Sequence, residues 1–234
     1  MTKDARSHNP WDVLPVQTTR QQSRRTYDRL SRWYSLTEGL LERPATGRGL
    51  SRAQVTAGER VLDIGCGPGW ALQRLALAAG EAGAAVGLDL SLGMLAAARK
   101  SDTRRSTRLV QADALRLPFR PQTFDVVFMS FVLELLPTHE LPSTLSEIFH
   151  VLRPQGRFVN VSLTREKPNM LTRAYEFGHR WLPSLLDCRP LYVARILDAV
   201  GARVVSAEGM LLYGMPVEVT VARPALRDPD RDGI

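Results

Sequence analysis

The sequence predicts an α/β domain in which helices cover both faces of a mostly parallel, doubly wound sheet of seven strands with one antiparallel terminal strand. Three observations predict it. From residue 59 onward, short apolar runs alternate with stretches of helical periodicity, the pattern of a parallel sheet buried on both faces. A glycine loop, GCGPG over residues 65–69, follows the first apolar run directly. The last two runs, inside VVSAEGMLLYGMPVEVTVA, are joined by a link too short for a parallel crossover, so one terminal strand must turn back. At 234 residues and 44% hydrophobic, the chain can bury one sizeable core.

Each element has its own reason. The first stretch, MTKDARSHNPWDVLPVQTTR, is polar and lacks the apolar block of a signal peptide, so residues 1–19 are expected to be a flexible N-terminus of a cytoplasmic protein. From Arg20 to Leu41, Tyr27, Leu30, Tyr34, Thr37 and Leu41 share one helical stripe, and Pro44, Gly47 and Gly49 are expected to end that helix. Glu59–Ile64 reads as a buried strand, followed by the glycine loop and a helix over Gly69–Ala79. Ala84–Asp89 is the second strand, and the Ser91 hydroxyl can cap the helix SLGMLAAARK. Leu109–Gln111 and Phe124–Ser130 are the third and fourth strands, and His139–Leu152 is helical. A turn, RPQG, then feeds the fifth strand, RFVNVSL. Helical segments are expected over 169–181 and 191–200, then the strands Arg203–Glu208 and Pro216–Ala222, then a disordered polar tail over 224–234.

Composition excludes several classes. No apolar stretch approaches the roughly 20 residues that span a bilayer. The two cysteines, Cys66 and Cys188, are far apart and show no CxxC spacing, which argues against a disulfide framework or a structural metal site. The net charge of +7 suggests nucleic acid at first, but residues 1–52 hold ten basic and five acidic side chains, which is most of the excess. No aromatic–basic stacking platform accompanies them, so no nucleic-acid partner is expected. An anionic partner or an acidic membrane surface stays open for the basic N-terminal helix.

The glycine loop narrows the ligand. No Lys follows the glycines, so it is not a triphosphate-cradling loop, and Gly65, Gly67 and Gly69 are spaced GxGxG rather than the GxGxxG of a dinucleotide site. Asp63, two residues before the first glycine, suits an ammonium-bearing ligand better than a pyrophosphate. Asp89 ends the second strand 24 residues past Gly65, where a carboxylate can accept both hydroxyls of a ribose. Asp113 follows the third strand and can accept from an exocyclic amine. Any one of these carboxylates alone reads as a loop or capping residue. Three at successive strand ends read as a binding site.

The series VLDIGCGPG, GLDLS, QADALRLPF, FDVVFMSFVLELLP and LRPQGRFVNVS resembles the motif series of class I S-adenosylmethionine-dependent methyltransferases. Within that class it looks most like the quinone-biosynthesis branch and its type 11 relatives, over roughly residues 24–222. The resemblance implies a Rossmann-like fold, with S-adenosylmethionine as cofactor and S-adenosylhomocysteine as product. It implies that Gly65, Cys66, Gly67 and Gly69 pass close to the methionine moiety, with Asp63 near its ammonium. Asp89 takes the ribose hydroxyls, Leu90 and Met94 sandwich the adenine, and Asp113 with the Ala114 backbone reads the adenine edge. Ser130 and Phe131 line the reacting centre. Met94 and Phe131 also read as plain core residues. No metal is implied.

The same resemblance makes residues 20–52 a helical lid in which Tyr27 and Tyr34 close over the cofactor, with an amphipathic packing helix as the competing reading. The cofactor domain is expected over 53–223, with an acceptor-pocket insertion at about 164–200. Candidates for a general base are Glu134, which stands where many relatives carry His, and His139, ahead of His179 and Asp187. Trp181, Leu182, Leu185, Leu186, Tyr192, Met210, Tyr213 and Met215 can wall an apolar pocket. The expected acceptor is a small apolar or lipid-like molecule such as a quinone-type ring, with a phospholipid or amine nitrogen as the alternative. A nicotinamide-dependent oxidoreductase is disfavoured by the loop spacing, and a non-catalytic scaffold by the three intact aspartates.

Overall fold

The computed structural model describes residues 9–11, 13, 38–102, 107–166, 168, 170, 172 and 189–225. Tyr27, Tyr34, His179, Trp181, Leu182, Leu185, Leu186, Asp187 and Cys188 lie outside the described residues. In chain order the elements are α1 (Glu38–Ala53), β1 (Arg60–Ile64), α2 (Trp70–Ala79), β2 (Ala84–Asp89), α3 (Leu92–Ser101), β3 (Thr107–Gln111) and β4 (Phe124–Ser130). Then come α4 (Leu141–Val151), β5 (Leu152–Leu163), α5 (Val193–Ala199), β6 (Arg203–Leu212) and β7 (Met215–Arg223).

The strands form one seven-stranded sheet in the order β3-β2-β1-β4-β5-β7-β6. Neighbours from β3 through β5 are parallel, while β7 runs antiparallel to both β5 and β6. The expected fold class holds, with the antiparallel strand set one place in from the edge. The chain leaves β1 towards β2 and β3, then returns to the other side of β1 as β4. That reversal opens a crevice at the carboxyl ends of β1 and β4, where ligands of open α/β sheets bind.

Two apolar layers hold the sheet. Val61, Val126, Phe128, Val159 and Val219 pack with α1 and α2 on one face. Leu62, Phe124, Val127 and Phe158 pack with α4 and α5 on the other. Burying each such side chain contributes about 1.5–3 kcal/mol. Arg157 of β5 ties the end of α1 to the residue that precedes β1. Its guanidinium donates to both oxygens of Glu59, at 2.8 Å each, and to the carbonyls of Ala53 and Gln54.

Three local expectations are corrected. Pro44, Gly47 and Gly49 do not end the first helix, because α1 runs through all of them to Ala53. Gly49 is there for contact: a Cβ at that position would run into Val161 Cγ2 and stand 3.2 Å from the Phe128 ring. RPQG is not a turn ahead of β5 but a bulge within it. Phe124 pairs with Leu152 and Val126 with Arg157, so the intervening residues loop out of register. The helix expected from His139 begins at Leu141, after short 3-10 turns at Leu133–Leu135 and Thr138–Glu140.

Candidate active site

A pocket opens at the carboxyl ends of β1, β2 and β4. Gly65, Cys66, Gly67, Asp63, Asp89 and Leu90 line it from the first two strands and the loop between. Met94, Asp113 and Ala114 close one side, and Ser130 and Phe131 the other. Eleven of the residues singled out from the sequence therefore meet in one place.

The loop is shaped by its hydrogen bonds. Gly65 and Cys66 both donate their amides to the Leu88 carbonyl, at 2.7 and 3.0 Å, which bends the chain sharply out of β1. Gly67 has φ +51°, a left-handed conformation that turns its amide onto Asp89, and a Cβ there would meet open space. Asp89 Oδ2 accepts that amide at 2.9 Å and Oδ1 accepts the Ser91 amide at 2.9 Å. Both oxygens are thus fixed from behind while the carboxylate faces the pocket. Ser91 caps α3 as expected, its hydroxyl accepting the Met94 amide at 3.1 Å. Gly69 stands behind the loop ahead of α2, against Ala98, and does not line the pocket.

Asp63 is the most unusual group. It is 2% exposed, and its Oδ2 is buried with no hydrogen-bond partner. Burial, reinforced by the negative charge of Asp89, pushes its carboxyl well above the usual carboxylate range. An orphaned buried oxygen beside a second carboxylate is a site for a cation that also donates hydrogen bonds. Asp113 is held by an Asx turn, Oδ1 accepting the Leu115 amide at 3.0 Å.

Met94 is 2% exposed, as a core residue is, and also lines the pocket. Phe131 does the same, and it adopts φ +55°, a strained conformation for an aromatic residue that is typical of ligand sites. Ser130 is held by a hydroxyl contact of 2.9 Å with Thr46 of α1.

The candidate bases do not reach the pocket. His139 sits on the surface with its side chain 82% exposed, 3.7 Å from Glu140. Glu134 is fully buried and turned away, its Oε1 accepting the Leu163 amide at 3.2 Å. The left-handed turn at Phe131 and the 3-10 turn after it rotate Glu134 inward. Burial pushes its carboxyl up to about 8, with Glu42 adding to the rise and the Leu163 amide and Arg189 opposing it. Sequence reasoning missed Glu42 and Thr46, which line the pocket from α1, and Val132 and Leu135 after β4. The α1 pair was hidden by ending that helix early, whereas the apolar FVLELL run was visible. Among the described residues no group of His, Cys, Asp and Glu is arranged to hold a metal ion.

Comparison with known proteins agrees with this geometry. Residues 61–156 match the family model described as a methyltransferase domain. The demethylmenaquinone methyltransferase of Oceanobacillus iheyensis is 32% identical over 141 residues, 58% of this chain and 58% of that protein. The 2-phytyl-1,4-naphtoquinone methyltransferase of Thermosynechococcus vestitus is 37% identical over 129 residues, 55% of each. The chain thus spans little more than half the length of these two relatives. A solved S-adenosylmethionine-dependent methyltransferase from Aquifex aeolicus shares the fold, with a TM-score of 0.57 at 21% identity over 76% of this chain and 89% of that one. Sheet order, pocket and sequence match converge: residues 61–156 match a methyltransferase domain, and the chain is similar to demethylmenaquinone and 2-phytyl-1,4-naphtoquinone methyltransferases.

Proposed function

We propose that this chain transfers a methyl group from S-adenosylmethionine to a small apolar or lipid-like acceptor of the quinone type. The observation that carries the reading is the orphaned, buried Asp63 beside Asp89 under the glycine loop. The cofactor carries an ammonium for the first carboxylate and a ribose diol for the second, so the residues present fit it. When bound, it supplies a sulfonium-activated methyl group for in-line displacement by the acceptor.

The chain's own residues bind, orient and exclude water. Asp63 takes the ammonium, and Asp89, fixed by the Gly67 and Ser91 amides, takes the ribose hydroxyls. Leu90 and Met94 offer apolar contact to the adenine, while Asp113 and the Ala114 backbone read its edge. Phe131, Val132 and Leu135 keep the acceptor side apolar. Holding donor and acceptor close and aligned lowers the entropic part of the barrier.

The relatives' names support the acceptor class, since they denote methyltransferases of demethylmenaquinone and of a phytylated naphthoquinone. The excess of basic residues over residues 1–52 suits an anionic membrane surface, where such an acceptor resides. No described helix is long and apolar enough to cross a membrane.

Thermal shift with S-adenosylmethionine and S-adenosylhomocysteine tests the cofactor, and label transfer to a demethylated naphthoquinol tests the acceptor. Stabilisation by both cofactors with label in the quinol extract is expected. No shift with either cofactor sinks the reading, and label appearing only in phospholipid or amine fractions moves the acceptor class.

A further inference from the structure

One wall of the pocket carries an ionisable group that the cofactor does not occupy. Among the described residues five such groups line the pocket: Glu42, Asp63, Cys66, Asp89 and Asp113. The three aspartates stand at or just beyond the strands β1, β2 and β3 and match the ammonium, the ribose and the adenine edge. Burial, reinforced by the charges of Asp63 and Asp89, pushes the Cys66 thiol well above its usual range, so it keeps its proton and is no base. Glu42 remains.

Its place is set by α1. Glu42 and Thr46 are four residues apart, so they share one face of the helix, and both line the pocket. The Thr46 hydroxyl lies 2.9 Å from that of Ser130, at the end of β4. Salt bridges from Arg48 and Arg52 to Glu208 of β6, and the close approach of Gly49 to Val161, hold the rest of the helix down. Glu42 thus stands on a fixed element at the β4 side of the pocket, whose wall there includes the apolar Phe131, Val132 and Leu135. Behind that wall is Glu134, where burial pushes the carboxyl up to about 8 and the negative charge of Glu42 adds to the rise. Glu134 therefore keeps its proton at neutral pH, with Oε2 buried and unpartnered. The two carboxyls are divided between a proton holder in the core and a charge on the pocket wall.

We propose that Glu42 is the general base of the methyl transfer, taking the hydroxyl proton of a quinol-type acceptor seated against Val132 and Leu135. The inference rests on the acceptor reading given under Proposed function. The acceptor's O–H bond breaks and its proton passes to a Glu42 oxygen. The electron pair left on the acceptor oxygen moves into the ring, and the neighbouring ring carbon bonds to the methyl carbon. The sulfur–methyl bond breaks with its pair left on sulfur. The methylated ring carbon then loses its own proton to water, and Glu42 returns the hydroxyl proton to the oxygen. One proton is released per methyl group, and Glu42 ends as it began.

Methyl transfer by the full chain to a demethylated naphthoquinol, and to a ring-halogenated counterpart whose hydroxyl is ionised at the assay pH, tests this. In Glu42→Gln the rate on the first acceptor is expected to fall by at least about a hundredfold, and on the second by less than about fivefold. Titration calorimetry should show unchanged affinity for S-adenosylhomocysteine. Glu42→Asp, which keeps a carboxylate at shorter reach, should recover part of the first rate. If Glu42→Gln does not fold, it is the test variant, with a loss confined to the protonated acceptor. Equal loss on both acceptors shows that Glu42 only shapes the wall, and overturns the proposal. An unchanged rate on the first acceptor overturns it too, as does weaker S-adenosylhomocysteine binding, which would move Glu42 to the cofactor. A parent protein that binds S-adenosylhomocysteine but methylates neither quinol overturns the acceptor reading itself, and the base with it.

Discussion

Asp89 accepts the backbone amide of Gly67 at 2.9 Å, so the end of β2 fixes the shape of the loop that leaves β1. One carboxylate thus shapes the loop and faces the ligand. Asp89→Ala is expected to weaken S-adenosylhomocysteine binding by about a hundredfold, since two hydrogen bonds to a charged group are each worth about 1.5–3 kcal/mol. Titration calorimetry measures it. A loss under about fivefold would mean that the ribose does not sit on this carboxylate.

Asp63 leads to a proton-linked prediction. Its raised pKa means that the empty pocket keeps a proton where an ordinary carboxylate has lost it. An ammonium arriving beside it favours the charged form, so binding releases that proton. Affinity should therefore rise with pH and level off above the raised pKa. Calorimetry in two buffers of different ionisation enthalpy should show proton release for the parent and none for Asp63→Asn. Identical behaviour of the two proteins removes Asp63 from the ammonium site.

Glu134 makes stability depend on pH. Its folded pKa is about 8 against 4.5 in the open chain, so the folded state holds the proton more tightly. The stability linked to this group is complete below pH 4.5, is lost as pH rises, and is gone above about pH 8. The loss is at most on the order of 5 kcal/mol. Glu134→Gln cannot ionise and keeps an oxygen for the Leu163 amide. Urea midpoints should show the variant gaining on the parent between about pH 5 and pH 8. Parallel pH profiles would place the titrating group elsewhere.

Gly49 tests the path of α1. Alanine improves helix propensity by about 1 kcal/mol, but its methyl would run into Val161 and crowd Phe128 at 3.2 Å, and overpacking costs about 1–3 kcal/mol. The clash wins. Gly49→Ala is expected to lower Tm by roughly 2–5 °C, and a rise in Tm would mean that α1 stands off the sheet.

The central strands were legible because a parallel strand covered on both faces is a continuous apolar run. Ala84–Asp89 and Phe124–Ser130 have the expected bounds. The pocket aspartates were legible because strand ends in this topology converge, so spacing along the chain maps onto spacing in the crevice. Glu42 and Thr46 were not. A glycine that lets a helix approach a sheet has the same one-letter signature as one that ends the helix, and only Val161 and Phe128 tell them apart. Glu134 failed for a different reason. The direction it faces is set by the left-handed turn at Phe131, a conformation the sequence of an aromatic residue does not announce.

Thr164 and Leu191 form an isolated parallel bridge, with the Leu191 amide on the Leu163 carbonyl at 3.1 Å and the Arg165 amide on the Leu191 carbonyl at 3.0 Å. Next to it, the fully buried Arg189 donates to Thr138 Oγ1 at 2.6 Å and to the carbonyls of Glu134 and Leu136. The excursion between residues 165 and 190 therefore leaves and re-enters the fold at nearly one point, and its closing end is bolted to the turn beyond β4. A segment mounted in this way is a cassette. Its length and side chains can change without moving the two points that anchor it, because the bridge and Arg189 hold only its ends.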